Sequence, residues 1–300
     1  MSHNSVRALA AQLGMPRDWL QEIANHADDL YAPYIDYSGR QPRTIDRPTK
    51  ILRSAQRRIY RALLRQHPFA CFAQAGVPRR SLLKAVAQHV AKPIVITADI
   101  RNFYPSVTND QIFAIWRGLG HGTRVSALLT RLTTYRHRLP QGASTSMALA
   151  NLLLEPVDRG MFKELRRRFP DVQYTRWVDD MIFSGRLVPP VVFEVVARHL
   201  KHAGLSIHHS KRKRRVMPAG KRQEVLGTVV NVRPSLSRQR RRIVRAIAHV
   251  ATKVGGNLDS LRGRIQYLKT FHKSLGDQLS DSILLAPVLF KNRRAADARV

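Results

Sequence analysis

Three carboxylates stand where the sequence is otherwise apolar. Asp99 ends the run "PIVITADI" (93–100), and Asp179 and Asp180 stand side by side in "YTRWVDDMIFSG" (174–185). Acids are scarce here, 20 against 52 Lys and Arg, and most fall on polar helix faces. An uncompensated carboxylate beside a buried strand costs roughly several kcal/mol unless it is paired or bound to a metal. One arrangement accounts for all three. If the strand and the stretch around 179 are neighbours in one sheet, the carboxylates converge. Two Mg²⁺ ions, which need hard oxygen ligands, would neutralise them. Such a pair promotes in-line attack on a phosphate by holding the nucleophile and the leaving oxygen together. The plainer arrangement is a helix cap at Asp99 and solvated turn carboxylates at 179 and 180. These residues alone do not choose between the two.

The elements around them read as a β-rich middle between helical ends. Residues 1–32 carry apolar residues at helical spacing. "APYIDYSGRQPRTIDRP" (32–48) reads as two strands about a turn at Ser38-Gly39. "TKILRSAQRRIYRALLRQ" is an amphipathic helix ending before Pro68, and "SLLKAVAQHVA" (81–91) is a helix capped by Ser81. The β-branched run 93–100 predicts a buried strand. Helices follow at about 109–117 and 123–135, then a turn at 139–144. The long helix "SMALANLLLEPVDRGMFKELRRRF" takes Ser144 or Thr145 as its cap, with Pro156 inside it. A hairpin at 173–184 carries Asp179 and Asp180. A helix leads from it to a short strand, "LSIHHSK", and "EVLGTVVN" (224–231) is one more strand. Residues 238–292 are mostly helical and Arg-rich, and the final "RRAADARV" is expected to fray.

Length and composition narrow the class. Three hundred residues with 44% hydrophobic content suffice for one large domain or a few subdomains. The net charge of +32 and pI of about 11.6 call for a polyanionic partner, nucleic acid before an anionic membrane. The single cysteine, Cys71, excludes an internal disulfide and a multi-Cys zinc site, and favours a reducing compartment. The first residues have no long apolar core, so no signal peptide is expected, and no apolar run is long enough to span a bilayer. The expectation is a soluble, cytoplasmic protein without a membrane partner.

Three stretches occur in a telling order: "TADIRNFYPSV" (97–107), "LPQGASTS" (139–146) and "YTRWVDDMIFSG". This set resembles the reverse transcriptases, in which a catalytic strand D-x-x-x-[F/Y]-[F/Y], a PQG turn and a V-D-D turn follow one another. Within that family the chain is most similar to bacterial retron reverse transcriptases. "GRQPRTIDRPTKILRSAQRRI" (39–59) resembles their first finger motif. "AGVPRRSLLKAVAQHV" (75–90) resembles the stretch before the catalytic strand, of whose N-A-x-x-H only His89 is kept, with Ala85 and Val86 in place of Asn and Ala. "EVLGTVVN" resembles V-T-G-x-x-x, with Leu226 for Thr, and "LRGRIQYLKTF" (261–271) a thumb helix. Trp177 and Val178 depart from the usual smaller pair before the two Asp. Ser144 and Met147 stand where prolines are usual.

The resemblance implies an α+β right-hand polymerase fold with fingers, a palm bearing an antiparallel sheet, and a helical thumb. Its division would be an N-terminal helical extension (1–33), fingers (34–95 and 108–158), palm (96–107 and 159–232) and thumb (233–300). It assigns metal ligation to Asp99, Asp179, Asp180 and the backbone carbonyl of Ile100, for two Mg²⁺ with Mn²⁺ able to substitute. Arg40, Arg43, Tyr104, Gln141, Gly142 and Lys211 would meet the nucleotide, Tyr104 as a ring that excludes a 2′-hydroxyl and Lys211 near the pyrophosphate. Trp177, Val178 and Gly227 would face primer and template. His89, Arg240, Arg241, Arg262 and Arg264 would contact RNA. The runs "RRR" (166–168), "KRKRR" (211–215) and "RQRRR" (238–242) would form an electrostatic track for phosphates. For Tyr104 and Trp177 ordinary core packing is the alternative, and for any single Arg a solvated surface charge.

The implied activity is RNA-directed DNA polymerisation by two-metal nucleotidyl transfer on the enzyme's own structured noncoding RNA. dNTPs are the substrates and a bound RNA–DNA hybrid the product, in antiphage defence beside an effector protein. Two other readings stand beside it. One is a reverse transcriptase of another bacterial class, defence-associated or related to group II introns. The other is a non-catalytic RNA-binding scaffold.

Overall fold

The run Ile94–Asp99 is buried along almost its whole length, because β-branched residues fill both faces of a covered strand. What covers it emerges along the chain, seen in a computed structural model that describes residues 3–37, 42–254 and 258–282. Helices α1 (Val6–Leu13) and α2 (Arg17–Asn25) come first. Ser5 accepts from the Ala8 N–H at the start of α1, and Gly14 closes it in the left-handed region. Strands β1 (Tyr31–Asp36) and β2 (Arg43–Pro48) pair antiparallel. The turn expected at Ser38-Gly39 lies outside the described residues.

Helix α3 (Lys50–Ile59) widens into a π-turn, Tyr60–Leu64. Helix α4 (Leu82–Ala87) has Ser81 accepting from Lys84 N–H at 3.3 Å, the cap the sequence predicts. Strand β3 (Ile94–Asp99) is followed by α5 (Phe103–Ser106), α6 (Asn109–Gly118), α7 (Thr123–Thr133) and the 23-residue α8 (Ser146–Arg168), which runs through Pro156. Strands β4 (Gln173–Trp177) and β5 (Asp180–Gly185) form the expected hairpin, and α9 (Val192–His202), which packs on α8, follows it. The remaining elements are β6 (Arg215–Pro218), β7 (Glu224–Val225), β8 (Thr228–Val229), β9 (Ser235–Leu236), α10 (Arg238–Val254) and α11 (Leu258–Lys269).

Contacts divide the chain into two units. The described residues up to 85 and those of 94–216 form the first; those of 86–93 and 217–282 form the second. The first holds β4, β5 and β3, neighbours in that order in one sheet, in which β5 is antiparallel to both β3 and β4. Its core is one continuous apolar cluster in which Phe183 and Tyr174 stack at 4.8 Å. The second holds the three-stranded sheet β7-β8-β9 and a smaller core that includes Val244, Leu261 and Leu268. No described helix is long and apolar enough to cross a membrane.

Four local expectations change. "LSIHHSK" makes a single bridge, Ile207 to Ile100, and the regular strand β6 comes later, at 215. "EVLGTVVN" is a hairpin, because Leu226 and Gly227 both take positive φ and reverse the chain. The helix from Ser81 stops at Ala87, four residues early. Neither Ser144 nor Thr145 caps α8: Thr145 occupies the cap position with a helical backbone and no side-chain bond to the helix.

Phe183 is fully buried at the centre of the first unit. Phe183→Ala is expected to destabilise the protein by about 3–5 kcal/mol, read as a lower denaturation midpoint at unchanged slope in urea.

Candidate active site

The ladder between β3 and β5 ends with Asp99 directly opposite Asp180. Side chains so paired have Cβ atoms about 4.5–5.5 Å apart. Asp179 lies in the turn just before β5, and its carbonyl accepts from Ile100 N–H at 3.1 Å. Two segments 80 residues apart in sequence therefore meet through one register, which brings Asp99 opposite Asp180 and Asp179 beside Ile100. Ile100 is buried immediately beyond Asp99.

Like charges facing one another in a ladder repel, and the site registers that strain. Burial, then the Asp179 and Asp99 charges, push the Asp180 carboxyl from its ordinary value of 3.8 to about 7. Burial and the charge of Asp99 raise that of Asp179, against the pull of Lys213 and Arg43. Lys213 supplies the local counter-charge, its Nζ 2.5 Å from Asp99 Oδ2. Burial pulls its own pKa down, but the bond to Asp99 and the three carboxylate charges outweigh that and raise it. Lys211, the lysine singled out from the sequence, is exposed. The difference is one of local register: "KRKRR" curls back towards β3, so Lys213 meets Asp99, Arg214 stacks over Phe193 at 4.4 Å, and Arg215 Nε reaches Thr97 Oγ1 at 3.3 Å. Three of these five cations thus make contacts within the first unit, and Lys211 and Arg212 are left exposed.

Tyr104 follows from α5, half-buried against the core. Burial, then the charge of Asp179, push its phenol up to about 12, so the ring stays neutral beside the acids. Arg43 begins β2, is exposed, and acts on Asp179 through space. Arg40 lies outside the described residues. Gln141 and Gly142 are stitched to β2: Asp46 N–H donates to the Gln141 carbonyl at 2.8 Å, and Gln141 N–H to Asp46 Oδ2 at 3.1 Å. At Gly142 (φ +130°) an added Cβ would lie 3.0 Å from Ile45 Cγ2 and 3.1 Å from the Asp46 carbonyl. Glycine is thus required by close approach to the chain's own strand. Asp46, which the sequence reading passed over, is the residue that fastens the "PQG" turn.

Trp177 faces Asp180 across the hairpin and is half-buried. Val178 takes φ +57°, a conformation that a β-branched residue adopts only under compulsion. Beneath it, Arg176 is fully buried. Its Nε lies 3.1 and 3.0 Å from the two Asp158 carboxylate oxygens, its Nη2 donates to Oδ2 at 2.8 Å, and its Nη1 reaches Asn151 Oδ1 and the Val178 carbonyl. Neither Arg176 nor Asp158 stood out in the sequence. A carboxylate in "LLLEPVDRGMF" reads as a polar helix face, and only packing reveals it as core.

In the second unit, His89 is fully buried, and burial, then Lys92, drive it down to about 3. It is a neutral core residue, which corrects its assignment to RNA contact. The exposed Arg240 lays its guanidinium against Gly227, so a Cβ there would require that side chain to shift. Arg241 is half-buried, while Arg262 and Arg264 are exposed on α11. Arg222, Arg238 and Arg242 line a concavity of about 640 Å³.

Comparison with known proteins agrees with this geometry. A family model described as reverse transcriptase (RNA-dependent DNA polymerase) matches residues 38–232. The retron Mx65 reverse transcriptase of Myxococcus xanthus is 31% identical over 261 residues, which cover 79% of this chain and 60% of that protein. The retron Ec86 reverse transcriptase of Escherichia coli is 25% identical over 272 residues, 88% of this chain and 84% of that one. Among solved structures, telomerase from Candida albicans in complex with a TWJ fragment of telomeric RNA aligns over 85% of this chain and 60% of its own, with TM-score 0.50 and 11% identity. That likeness, with the mixed helices and antiparallel sheet, identifies the right-hand polymerase fold. With carboxylates, sheet register and family model in agreement, the chain belongs to the reverse transcriptase family and is of the bacterial retron type.

Proposed function

We propose that this protein is an RNA-directed DNA polymerase that copies its own structured noncoding RNA into an RNA-linked single-stranded DNA, in antiphage defence beside an effector protein. The observation that carries the polymerase reading is the meeting of Asp99, Asp179 and Asp180 at the end of one ladder, with Tyr104 and Arg43 close enough to exchange charge effects with Asp179. In this reading the fingers are 34–95 and 108–158, the palm 96–107 and 159–232, and the thumb 233–300, after an N-terminal extension of 1–33.

The residues fit a divalent cation. Their donors are hard carboxylate oxygens, and burial, then the neighbouring carboxylate charges, raise the pKa values of Asp179 and Asp180, a direction that a nearby cation would oppose. Among the described residues, no three such side chains are already closed into a metal-binding cluster, and Lys213 holds Asp99. Asp99, Asp179, Asp180 and the Ile100 carbonyl would hold Mg²⁺, with Mn²⁺ as a substitute. When bound, such ions supply charge neutralisation at the phosphate and a more acidic attacking hydroxyl.

The protein's own groups do the rest. Arg43 offers a planar fork to the triphosphate, and Arg40 is the second candidate on that segment. Gln141 and Gly142 form the pocket wall carried by β2. The Tyr104 ring excludes a 2′-hydroxyl and so selects dNTPs. Lys213, in place of Lys211, is the ammonium that meets the departing pyrophosphate. Trp177 and Val178 face the primer end, and Gly227 the template. Arg240, Arg241, Arg262 and Arg264 bind RNA phosphates.

Purified protein given primed RNA, dNTPs and Mg²⁺ should make DNA. Asp179→Asn or Asp180→Asn should lower the rate by about a thousandfold, some 4 kcal/mol of lost transition-state stabilisation; undiminished synthesis rejects the carboxylates as the catalytic centre. Tyr104→Ala should reduce discrimination against ribonucleotides by roughly 10- to 200-fold, and unaltered discrimination rejects the steric role. Sequencing of RNA that co-purifies with the protein identifies the template.

A further outcome concerns pH without divalent cations. Folded Asp180 keeps its proton up to about 7, whereas unfolded it releases that proton near 3.8. The folded state thus binds more protons between these values, so this group's contribution to stability falls as pH rises from about 4 to about 7 and levels off above. Asp180→Asn should flatten that fall and raise the melting temperature at pH 8 relative to wild type, read by circular dichroism at pH 5 and pH 8.

A further inference from the structure

The buried polar cluster under the hairpin plays no part in the chemistry described so far. Arg176 and Asp158 are each fully buried. Tyr174 Oη donates to Asp158 Oδ1 at 2.6 Å, and Asn151, which accepts from Arg176 Nη1 at 3.1 Å, donates its own Nδ2 to the Ala75 carbonyl at 2.9 Å. The backbone of Arg176 is fixed as well: its N–H donates to the Phe72 carbonyl, and its carbonyl accepts from Gln74 N–H, both at 2.8 Å. One arm leaves this cluster. Arg176 Nη1 donates to the Val178 carbonyl at 2.9 Å.

Val178 is the left-handed residue immediately before Asp179. A β-branched side chain resists that conformation, so something must hold the peptide there. Two bonds do. Arg176 holds the Val178 carbonyl from below, and Ile100 N–H holds the Asp179 carbonyl from the side. Neither bond uses a catalytic carboxylate. A buried ion pair is by itself weak support for stability, since apolar residues of similar volume often serve as well. The fork onto a turn carbonyl is something that no apolar residue supplies.

We propose that the Asp158–Arg176 pair is a positioning device for DNA synthesis: it clamps Val178 in the left-handed conformation and so aims Asp179 at Asp99. The kinetic arm of the test rests on the polymerase reading above; the exchange arm does not.

The test uses the full chain with Asp158→Leu, Arg176→Met and Tyr174→Phe combined, which removes both charges together and leaves no lone buried ion. Circular dichroism and melting should show a folded protein, with KM for primed RNA and dNTP within about twofold of wild type. The kcat should fall about tenfold to a hundredfold, the scale of a small misplacement of a reacting group. Adding Val178→Gly, which accepts positive φ without strain, should recover at least about threefold of that loss. If the combined variant does not fold, Arg176→Lys replaces it. That change keeps a cation against Asp158 but lacks the fork, and rescue by Val178→Gly is read in the same way. Hydrogen exchange at the Ile100 amide should speed up in the variant and slow again with Val178→Gly, whether or not DNA is made. Wild-type kcat retained, or a loss that Val178→Gly leaves unrepaired with Ile100 exchange unchanged, overturns the proposal and makes the pair an ordinary core element. Wild-type protein that makes no DNA counts against the polymerase reading alone, and the exchange measurement then decides this one.

Discussion

The catalytic turn rests on a charge pair removed from water. Taking two ions into the interior costs several kcal/mol each in effective terms, and only near-ideal geometry with every remaining donor satisfied offsets that. Arg176 meets that condition: its bonds to Asp158, Asn151 and the Val178 carbonyl place its fork against fixed oxygens. Asp158 in turn accepts from Tyr174. A charge-assisted hydrogen bond is worth about 1.5–3 kcal/mol. A left-handed L-residue costs about 1–2 kcal/mol. The single bond to Val178 is thus of the right size to hold the turn. The pair also joins α8 to β4.

Above that foundation the problem changes sign. The chain carries +32, yet its centre gathers three carboxylates that repel one another. The folded protein bears this because Lys213 neutralises Asp99 and because the raised pKa of Asp180 lets it carry a proton near neutrality. A basic surface draws in a polyanion over long range, while an acidic spot demands a hard cation at short range. The two requirements are opposite, and only separation in space satisfies both. It also explains why acids are rare elsewhere: each one spent on the surface would weaken the attraction.

The sequence made some of this legible and hid the rest for a physical reason. The buried strand, the hairpin and the three carboxylates were readable because each depends on local pattern: β-branched runs, alternation, and acids in apolar company. Pairings were not. Asp158 and Arg176 are 18 residues apart, Asp46 and Gln141 are 95 apart, and nothing local says which helix face a carboxylate will take. Lys211 was singled out by its place in the resemblance; the lysine that meets Asp99 in the fold is Lys213, because the regular strand begins at the end of the basic run, at 215, and not at 205–211. His89 was assigned to RNA contact by resemblance, with a core or surface place as the alternative; its full burial was not legible because nothing local says which side of that segment packs inward. One missed feature did have a local signal: a glycine inside an apparent strand, at 227, marks a reversal or a close approach, and both occur there.

The identity of the two residues before Asp179 follows from the same constraints. A smaller residue than Val178 would take positive φ more readily, yet Val178 is half-buried and packs on the core, so its side chain contributes burial while its backbone bears strain. The clamp from Arg176 makes that combination tolerable. Trp177 faces Asp180 in register and adds a large, low-polarity surface beside it. Burial leads the causes that raise Asp180. The bulky pair thus sits on a turn that a buried ion pair holds, since Arg176, bound to Asp158, donates to the Val178 carbonyl.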